Sequence, residues 1–296
     1  MSEFLTTREL ATLLRVKERK VYDLVAAGSL PFRKVTGKLL FPRKEIETWL
    51  GAETEGREAE EPSGASAATP RPLVFAGGHD PLLEWALRES RSGIAAFFDG
   101  TLDGMDRAAA GGCIAAGLHV PDGEGWNVSV VEERFGQEPW VLLEWGRRSR
   151  GLISRPDLPR APASLKDARG LRFQQRQPEA GSELVLDRLL KDAKMRRADL
   201  MMVDTVERSE TDLAMAIASG RADAGLGIEA AARQFNLDFV PLVEERFDLL
   251  VWRKAYFDPP FQKFVAFCHT PALQARAQAL GGYDLSGLGT VHFNGR

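Results

Sequence analysis

The sequence predicts a mixed α/β protein in two parts: a small helix-turn-helix unit with a basic hairpin, and a larger two-lobed α/β domain with mainly parallel strands. Three observations carry this. The formal net charge is -3, yet residues 1–50 hold ten Lys/Arg against six Asp/Glu, so the positive charge is confined to the front. Residues 51–72, "GAETEGREAEEPSGASAATPRP", contain no aromatic or large aliphatic side chain and cannot bury enough apolar area to offset the entropy of ordering, which reads as a flexible linker. From Leu73 onward, apolar runs alternate with amphipathic segments. The expected boundaries are therefore 1–50, 51–72 and 73–296, with "ETEGREAEE" alternatively extending the preceding helix as far as Pro62.

In "FLTTRELATLLRV" Leu10, Leu13 and Leu14 recur at helical spacing, and Thr6 with Glu9 forms a capping-box pattern, so a helix is expected to start near Thr7. After a turn, "KERKVYDLVAAG" places Val21, Leu24 and Val25 on one stripe and ends at Gly28, a C-cap residue. Lys17, Glu18, Arg19 and Lys20 occupy the N-terminal end of this second helix, the part that meets base edges and phosphates in a helix-turn-helix. "LPFRKVTGKLLFPRKE" then reads as a hairpin about Thr36-Gly37 with Arg33, Lys34 and Lys38 near its tip. "PRKEIETWL" closes the unit with a short helix that packs Ile46, Trp49 and Leu50 inward. The ordered series of helix, turn, helix, "G-x-LP" exit, basic hairpin and "PRxEIExWL" closure resembles the excisionase/MerR-type winged helix-turn-helix. The resemblance implies a DNA-binding unit with Lys17, Glu18, Arg19, Lys20, Arg33, Lys34, Lys38 and Arg43 at double-stranded DNA. A single unit of this size offers few phosphate contacts, so a homodimer on two half-sites is expected.

In the large part, "LVFAGG" then "DPLLEWALRES", "IAAFFDGT" then "LDGMDRAAAGG", and "CIAAGLHV" follow a strand, helix, strand, helix, strand pattern. A second unit runs from "SLKDARGLRFQQRQ" through "GSELVLDRLLKDA" and "TDLAMAIASGRADAGLGIEAAARQF" to "LDFVPLVEERFDLLVWR". Ligands in such sheets sit at the carboxyl ends of strands, against helix N-termini. The series "FFDGTLDGMDRAAAGG", "AGLHV", "RQPEAGSELVLDRLL", "AIASGRADAGLGIEAAA", "LDFVPLVEERFDLLV" and "LGGYDLSGLGTV" resembles the periplasmic-binding-protein-like (type II) domain of bacterial and archaeal regulators. That domain is related to molybdate/tungstate-binding proteins and to LysR substrate domains. The resemblance covers about residues 72–293 and implies a small-molecule sensor, with the oxyanions molybdate or tungstate as leading effectors.

The residues at these exits suit an anion. Gly78 with His79, and Gly100 with Thr101, stand where glycine lets backbone N–H groups approach a ligand. Gly181 and Ser182 begin another helix, with Arg176 upstream as a charge partner. Thr101, Ser182 and Thr211 supply hydroxyl donors, and His119 a further polar group. Other readings are open: Thr101 and Thr211 as N-caps, His119 as a buried hydrogen-bonded histidine, Arg176 as a surface partner of Glu179 or Glu183. Asp80, Asp99, Asp103 and Asp212 near the same exits repel a dianion if they point inward, which leaves a neutral or cationic organic ligand open.

No nucleophile elbow, zinc-protease pair or phosphate-binding loop occurs, and Cys113 and Cys268 stand apart from ligand-spaced partners, so neither catalysis nor a metal nor a covalent cofactor is expected. The start lacks a secretory pattern and no 18-residue apolar run exists, so no membrane role is expected and a cytoplasmic location follows. The function these features imply is a one-component transcriptional regulator that binds DNA and a small effector. Its rivals are an excisionase-like architectural DNA-binding protein with a non-sensing dimerisation domain, and an enzyme or cofactor-handling protein of molybdopterin metabolism.

Overall fold

The computed structural model describes residues 4–13, 18, 21, 22, 25, 31–35, 38–46 and 70–296. The chain divides into two compact units, Met1–Ala68 and Thr69–Arg296.

In the first unit, strand β1 (Phe4–Thr6) runs into helix α1 (Thr7–Leu13), and β2 (Arg33–Val35) forms an antiparallel hairpin with β3 (Lys38–Pro42). The three strands form one sheet in the order β1-β3-β2. The capping box closes as the sequence predicts: Glu9 N–H donates to Thr6 Oγ1 at 3.3 Å and Thr6 N–H to Glu9 Oε2 at 2.8 Å. Leu5, Leu10, Ala11, Val21, Phe41 and Ile46 make the core. Two features depart from expectation. Phe4–Thr6, to which the sequence reading assigns no strand, pairs with β3, with Leu5 buried opposite Phe41. Leu13, placed on the apolar stripe, is 46% exposed; it is the last residue of a helix whose buried face is set by Leu10 and Ala11. Lys17, Arg19, Lys20, Thr36 and Gly37 lie outside the described residues, as does the expected linker up to residue 69.

The second unit opens with β4 (Val74–Gly77), α2 (Pro81–Glu89), β5 (Ala95–Phe97), α3 (Thr101–Ala109) and β6 (Ala115–Leu118), the predicted alternation, with β4 parallel to both β5 and β6. A short hairpin, β7 (Pro121–Asp122) and β8 (Gly125–Trp126), and helix α4 (Val128–Phe135) lead into the 15-residue β9 (Trp140–Ser154). Beyond it lie β10 (Arg172–Arg176), α5 (Gly181–Asp192), β11 (Met201–Glu207), α6 (Glu210–Ala218), β12 (Ala224–Ile228) and α7 (Glu229–Gln234). The equally long β13 (Asp238–Trp252) returns, followed by α8 (Arg253–Tyr256), α9 (Pro259–Cys268), α10 (Pro271–Leu280), β14 (Tyr283–Asp284) and β15 (Val291–Asn294).

The main sheet runs β11-β10-β12-β9-β13-β6-β4-β5, with β14 and β15 also on β9. Its outer groups are parallel, but its centre is the antiparallel pair β9 and β13, aligned from Trp140 opposite Trp252 to Ser154 opposite Asp238. These two strands pass from lobe one (β4 to β6) to lobe two (β10 to β12). One apolar cluster, including Phe75, Trp145, Phe247, Phe264, Leu213 and Ile217, draws on residues of both lobes. Separate clusters back each lobe, around Met105 and Trp140 in one and Phe173 and Val185 in the other. Among the described residues no helix is long and apolar enough to cross a membrane.

Arg71 is fixed to lobe one. Its guanidinium lies 4.7 Å from the Trp140 ring centre and 4.2 Å from that of Trp252, and it donates to the carbonyl of Ala108 at 2.7 Å.

Helix α3 packs on β4 through glycine. A Cβ on Gly104 would overlap the Cα of Gly77 and lie 2.8 Å from its nitrogen, backbone that cannot swing aside. Gly104→Ala should therefore destabilise the large unit by about 1–3 kcal/mol, measured as a lower urea midpoint at unchanged slope.

Candidate functional site

The carboxyl ends of the parallel strands in both lobes point at one another. The chain leaves β4 through Gly78, His79 and Asp80, β5 through Asp99 and Gly100, and β6 through His119; from lobe two it leaves β10 through Gln177 to Ala180 and β11 through Arg208 and Ser209. The lobes touch here. Leu102 N–H donates to Glu179 O at 3.0 Å, Glu210 N–H to His79 Nδ1 at 3.2 Å, and Arg208 pairs with Asp99. Because His79 Nδ1 accepts a backbone proton, its own N–H is on Nε2, 3.3 Å from Glu84 Oε2.

A chain of alternating charges crosses this junction. Asp80 Oδ2 pairs with Arg148 Nη1 at 2.9 Å, and Arg148 Nη2 with Glu245. Glu245 Oε2 meets Arg150 Nε at 2.6 Å, and Glu210 Oε1 meets Arg150 Nη2 at 2.8 Å and Arg176 Nη1 at 3.2 Å. The last contact is within ion-pair reach without the alignment of a hydrogen bond. All six groups are buried. Three guanidiniums face three carboxylates, so the ladder is neutral, the condition under which buried ions are tolerated. It joins lobe one (Asp80), the crossing strands (Arg148, Arg150, Glu245) and lobe two (Glu210, Arg176).

The protonation of these groups follows from their neighbours. Burial by itself raises the carboxyls of Glu245 and Glu210, but the guanidiniums overcome it. Arg148 and Arg150 hold Glu245 well below the ordinary range, and Arg150 and Arg176 hold Glu210 at about 2. Burial lowers the His119 pKa more than Glu245 raises it, so the ring is neutral at pH 7, with its Nδ1–H donating to Glu245 Oε2 at 3.1 Å and Nε2 left as an acceptor. Burial, then Asp80, pushes Tyr283 well above the usual phenol range, so its hydroxyl stays protonated and donates to Asp80 Oδ2 at 2.7 Å.

Of the residues the sequence singles out, five converge. A Cβ built on Gly78 would lie 3.0 Å from Thr101 Oγ1 and 3.2 Å from His119 Nε2; one on Gly181 would lie 2.8 Å from the same Nε2, with Ser182 the next residue. Thr101 and Ser182 are buried, and neither hydroxyl has a hydrogen-bond partner among the described residues. Gly100 abuts Glu179, and its φ of 109° is open to glycine and strained for other residues. It caps α3 in place of Thr101, the first helical residue. The cap of α6 is likewise Ser209, whose Oγ accepts from Asp212 N–H at 2.9 Å, and not Thr211, which is half-buried inside the helix. Arg176 is not a surface partner of Glu179 or Glu183: its side chain is buried on Glu210 and on the carbonyls of Glu207 and Arg208, while its backbone N–H donates to Glu183. Asp80 does not project freely, since Leu83 N–H, Trp145 Nε1, Arg148 and Tyr283 all donate to it. Among the described residues no cluster of three or more His, Cys, Asp or Glu suits a metal.

In the first unit Glu18 is helical and exposed, and Arg33 is exposed on β2 with its guanidinium 2.8 Å from Glu45. In the hairpin register Lys34 stands opposite Leu39 and Lys38 opposite Val35, and Arg43 follows β3 directly.

Arg148, Arg150, Glu245 and Glu210 escaped the sequence reading. The signal was present: Arg148 and Arg150 sit two apart inside "LLEWGRRSRGLIS", so both project from one face of the strand, between apolar runs at its two ends, and Glu245 lies opposite Arg148.

Two lobes joined by a pair of crossing strands, with strand ends and helix N-termini converging at their junction, define a two-lobed binding-protein fold. Residues 84–269 match the PBP superfamily domain, and the chain belongs to that superfamily. Residues 4–54 match a helix-turn-helix domain. The uncharacterized protein YvgK of Bacillus subtilis (strain 168) is 26% identical over 301 residues, spanning 97% of this chain and 96% of the relative. Among solved structures, a substrate-binding protein with bound phosphate from Clostridium perfringens superposes with a TM-score of 0.53 at 11% identity, covering 71% of this chain and 97% of the other. A Corynebacterium glutamicum OxyR mutant superposes at 0.50 and 13% identity, covering 93% and 89%. Both likenesses concern the fold.

Arg148→Ala should destabilise the protein by about 3–5 kcal/mol, because it strands Asp80 and Glu245 as buried, unbalanced charges; chemical denaturation measures this. The depressed Glu210 carboxyl gives a second expectation. Its stabilisation is complete above its unfolded pKa near 4.5 and is lost as the pH falls toward about 2, so the melting temperature should drop across that window. Melting curves from pH 6 to pH 2 check it.

Proposed function

We propose that this protein is a one-component transcriptional regulator that holds double-stranded DNA with its first unit and senses a small oxyanion between the lobes of its second. The observation that carries the sensor reading is the two buried hydroxyls without partners, Thr101 Oγ1 and Ser182 Oγ, at the starts of helices α3 and α5, with the His119 ring against the neighbouring Gly78 and Gly181. Helix N-termini and neutral donors together favour negative charge without a free cation. Molybdate and tungstate are the ligands implied by the resemblance of the chain. No catalytic role is assigned.

The DNA-binding reading is supported by the helix-turn-helix match and by the basic residues that the sequence places on the β2–β3 hairpin. The DNA contacts assigned are Lys17, Glu18, Arg19 and Lys20 on the second helix, and Arg33, Lys34, Lys38 and Arg43 on or beside the hairpin. Two copies on two half-sites give the affinity that one small unit lacks. A regulator of this kind works in the cytoplasm. Switching requires that the ligand bind one lobe arrangement better than another, and by reciprocity DNA must then alter ligand affinity.

One observation favours a second reading, a DNA-binding protein whose large unit is a non-sensing platform: the lobes are already joined by direct backbone bonds and a self-neutral ladder. The readings part on whether any small anion changes DNA affinity.

Lys34→Ala and Lys38→Ala in the full chain should each weaken duplex DNA binding and reduce the slope of log affinity against log salt by about one per lost phosphate contact. Fluorescence anisotropy over a salt series measures this, and an unchanged slope removes those side chains from the interface.

A further inference from the structure

The junction between the lobes carries leftover acceptors as well as leftover donors. Thr101 Oγ1, Ser182 Oγ, Arg150 Nη1 and Arg176 Nη1 are buried without hydrogen-bond partners among the described residues, and so is Glu210 Oε2, while the neutral His119 ring leaves Nε2 as a second acceptor. A run of contacts links the groups that carry these atoms. Thr101 Oγ1 and His119 Nε2 both lie against Gly78, and His119 Nε2 also lies against Gly181, the residue before Ser182. His119 Nδ1 and Arg150 Nε share Glu245 Oε2, and Arg150 Nη2 holds the other oxygen of Glu210. His79, next to Gly78, accepts from the Glu210 backbone.

An anion with only acceptor oxygens satisfies the hydroxyls and Arg150 but sets lone pairs against His119 Nε2 and Glu210 Oε2, of which the charged Glu210 is the costlier. The site offers no spare charge to offset this, because each of Arg148, Arg150 and Arg176 is already matched by a buried carboxylate. A buried acceptor left without a donor costs about 1–3 kcal/mol, more when it is charged. We propose that the ligand is a small anion that also carries an O–H donor beside its anionic oxygens, and that Glu210 Oε2 is the specificity-determining group that accepts this hydrogen. The ligand chemistry is shared by hydrogenphosphate and by short hydroxycarboxylates. This inference rests on the sensor reading and narrows its ligand class, placing sulfate, molybdate and tungstate, which are unprotonated at neutral pH, among the disfavoured anions. Glu210 is ionised at that pH, which is what makes the missing donor matter.

The test is thermal unfolding of the full chain at pH 7 with phosphate or glycolate in one arm and sulfate, molybdate or tungstate in the other. Sulfate also controls for general salting effects. The expected result is a concentration-dependent rise in melting temperature with at least one donor-bearing anion and none beyond the common salt effect with the others. Phosphate without glycolate points to an inorganic source, and glycolate without phosphate to an organic one. Glu210→Gln, which puts an N–H donor in reach of the site, should shift the ratio of affinities toward sulfate by about tenfold or more. Equal stabilisation of the native protein by sulfate, molybdate or tungstate overturns the proposal and leaves the sensor reading standing. Stabilisation by neither arm overturns both the proposal and the anion-sensing reading, while DNA binding is judged separately by its salt slope. If Glu210→Gln does not fold, the native panel decides, with Thr101→Val as the second variant, expected to lose the phosphate or glycolate response.

Discussion

Everything at the junction of the lobes depends on keeping six buried charges neutral. An isolated guanidinium or carboxylate at these depths costs several kcal/mol, and only close alternation of sign brings the total into a tolerable range. Because Asp80 comes from lobe one, Glu210 and Arg176 from lobe two, and the remaining three from the crossing strands, the ladder is complete only while the lobes face each other as they do here. Separating the lobes would therefore return these charges to water. The junction thus has an electrostatic determinant in addition to its strand geometry.

Aromatic packing holds the ladder in place. Phe247 lies under the Arg148 guanidinium at 4.2 Å and stacks with the His119 ring at 5.6 Å, and it fits because position 117 is glycine: a Cβ there would come within 2.8 Å of the ring. Trp145 and Tyr283 both donate to Asp80 while packing into the large apolar cluster. The apolar core and the polar junction therefore share residues, so a change in one is transmitted to the other.

Much of lobe one was legible in the sequence because β4 and β5 are short apolar runs, each followed by a glycine exit and an amphipathic helix. The convergence of Gly78, Thr101, His119, Gly181 and Ser182 was legible for a related reason, since strand exits in parallel sheets gather at one edge. The antiparallel centre was not. Strands β9 and β13 are fifteen residues long and carry arginine and glutamate in their middles, a pattern that resembles an exposed segment unless the partner charges are known. Capping residues were misplaced by one or two positions at α3 and α6 because Gly100 and Ser209 compete with nearby threonines for the same role, and backbone conformation decides between them.

The seat of Arg71 has a mechanical consequence. Trp140 opens β9 and Trp252 ends β13, so the chain that arrives from the first unit is clamped where the two long strands terminate in lobe one. Lobe two begins at the opposite ends of both strands, beyond Ser154 and Asp238. In the regulator proposed above, an event in lobe two would reach this anchorage only through the two long strands that both lobes share.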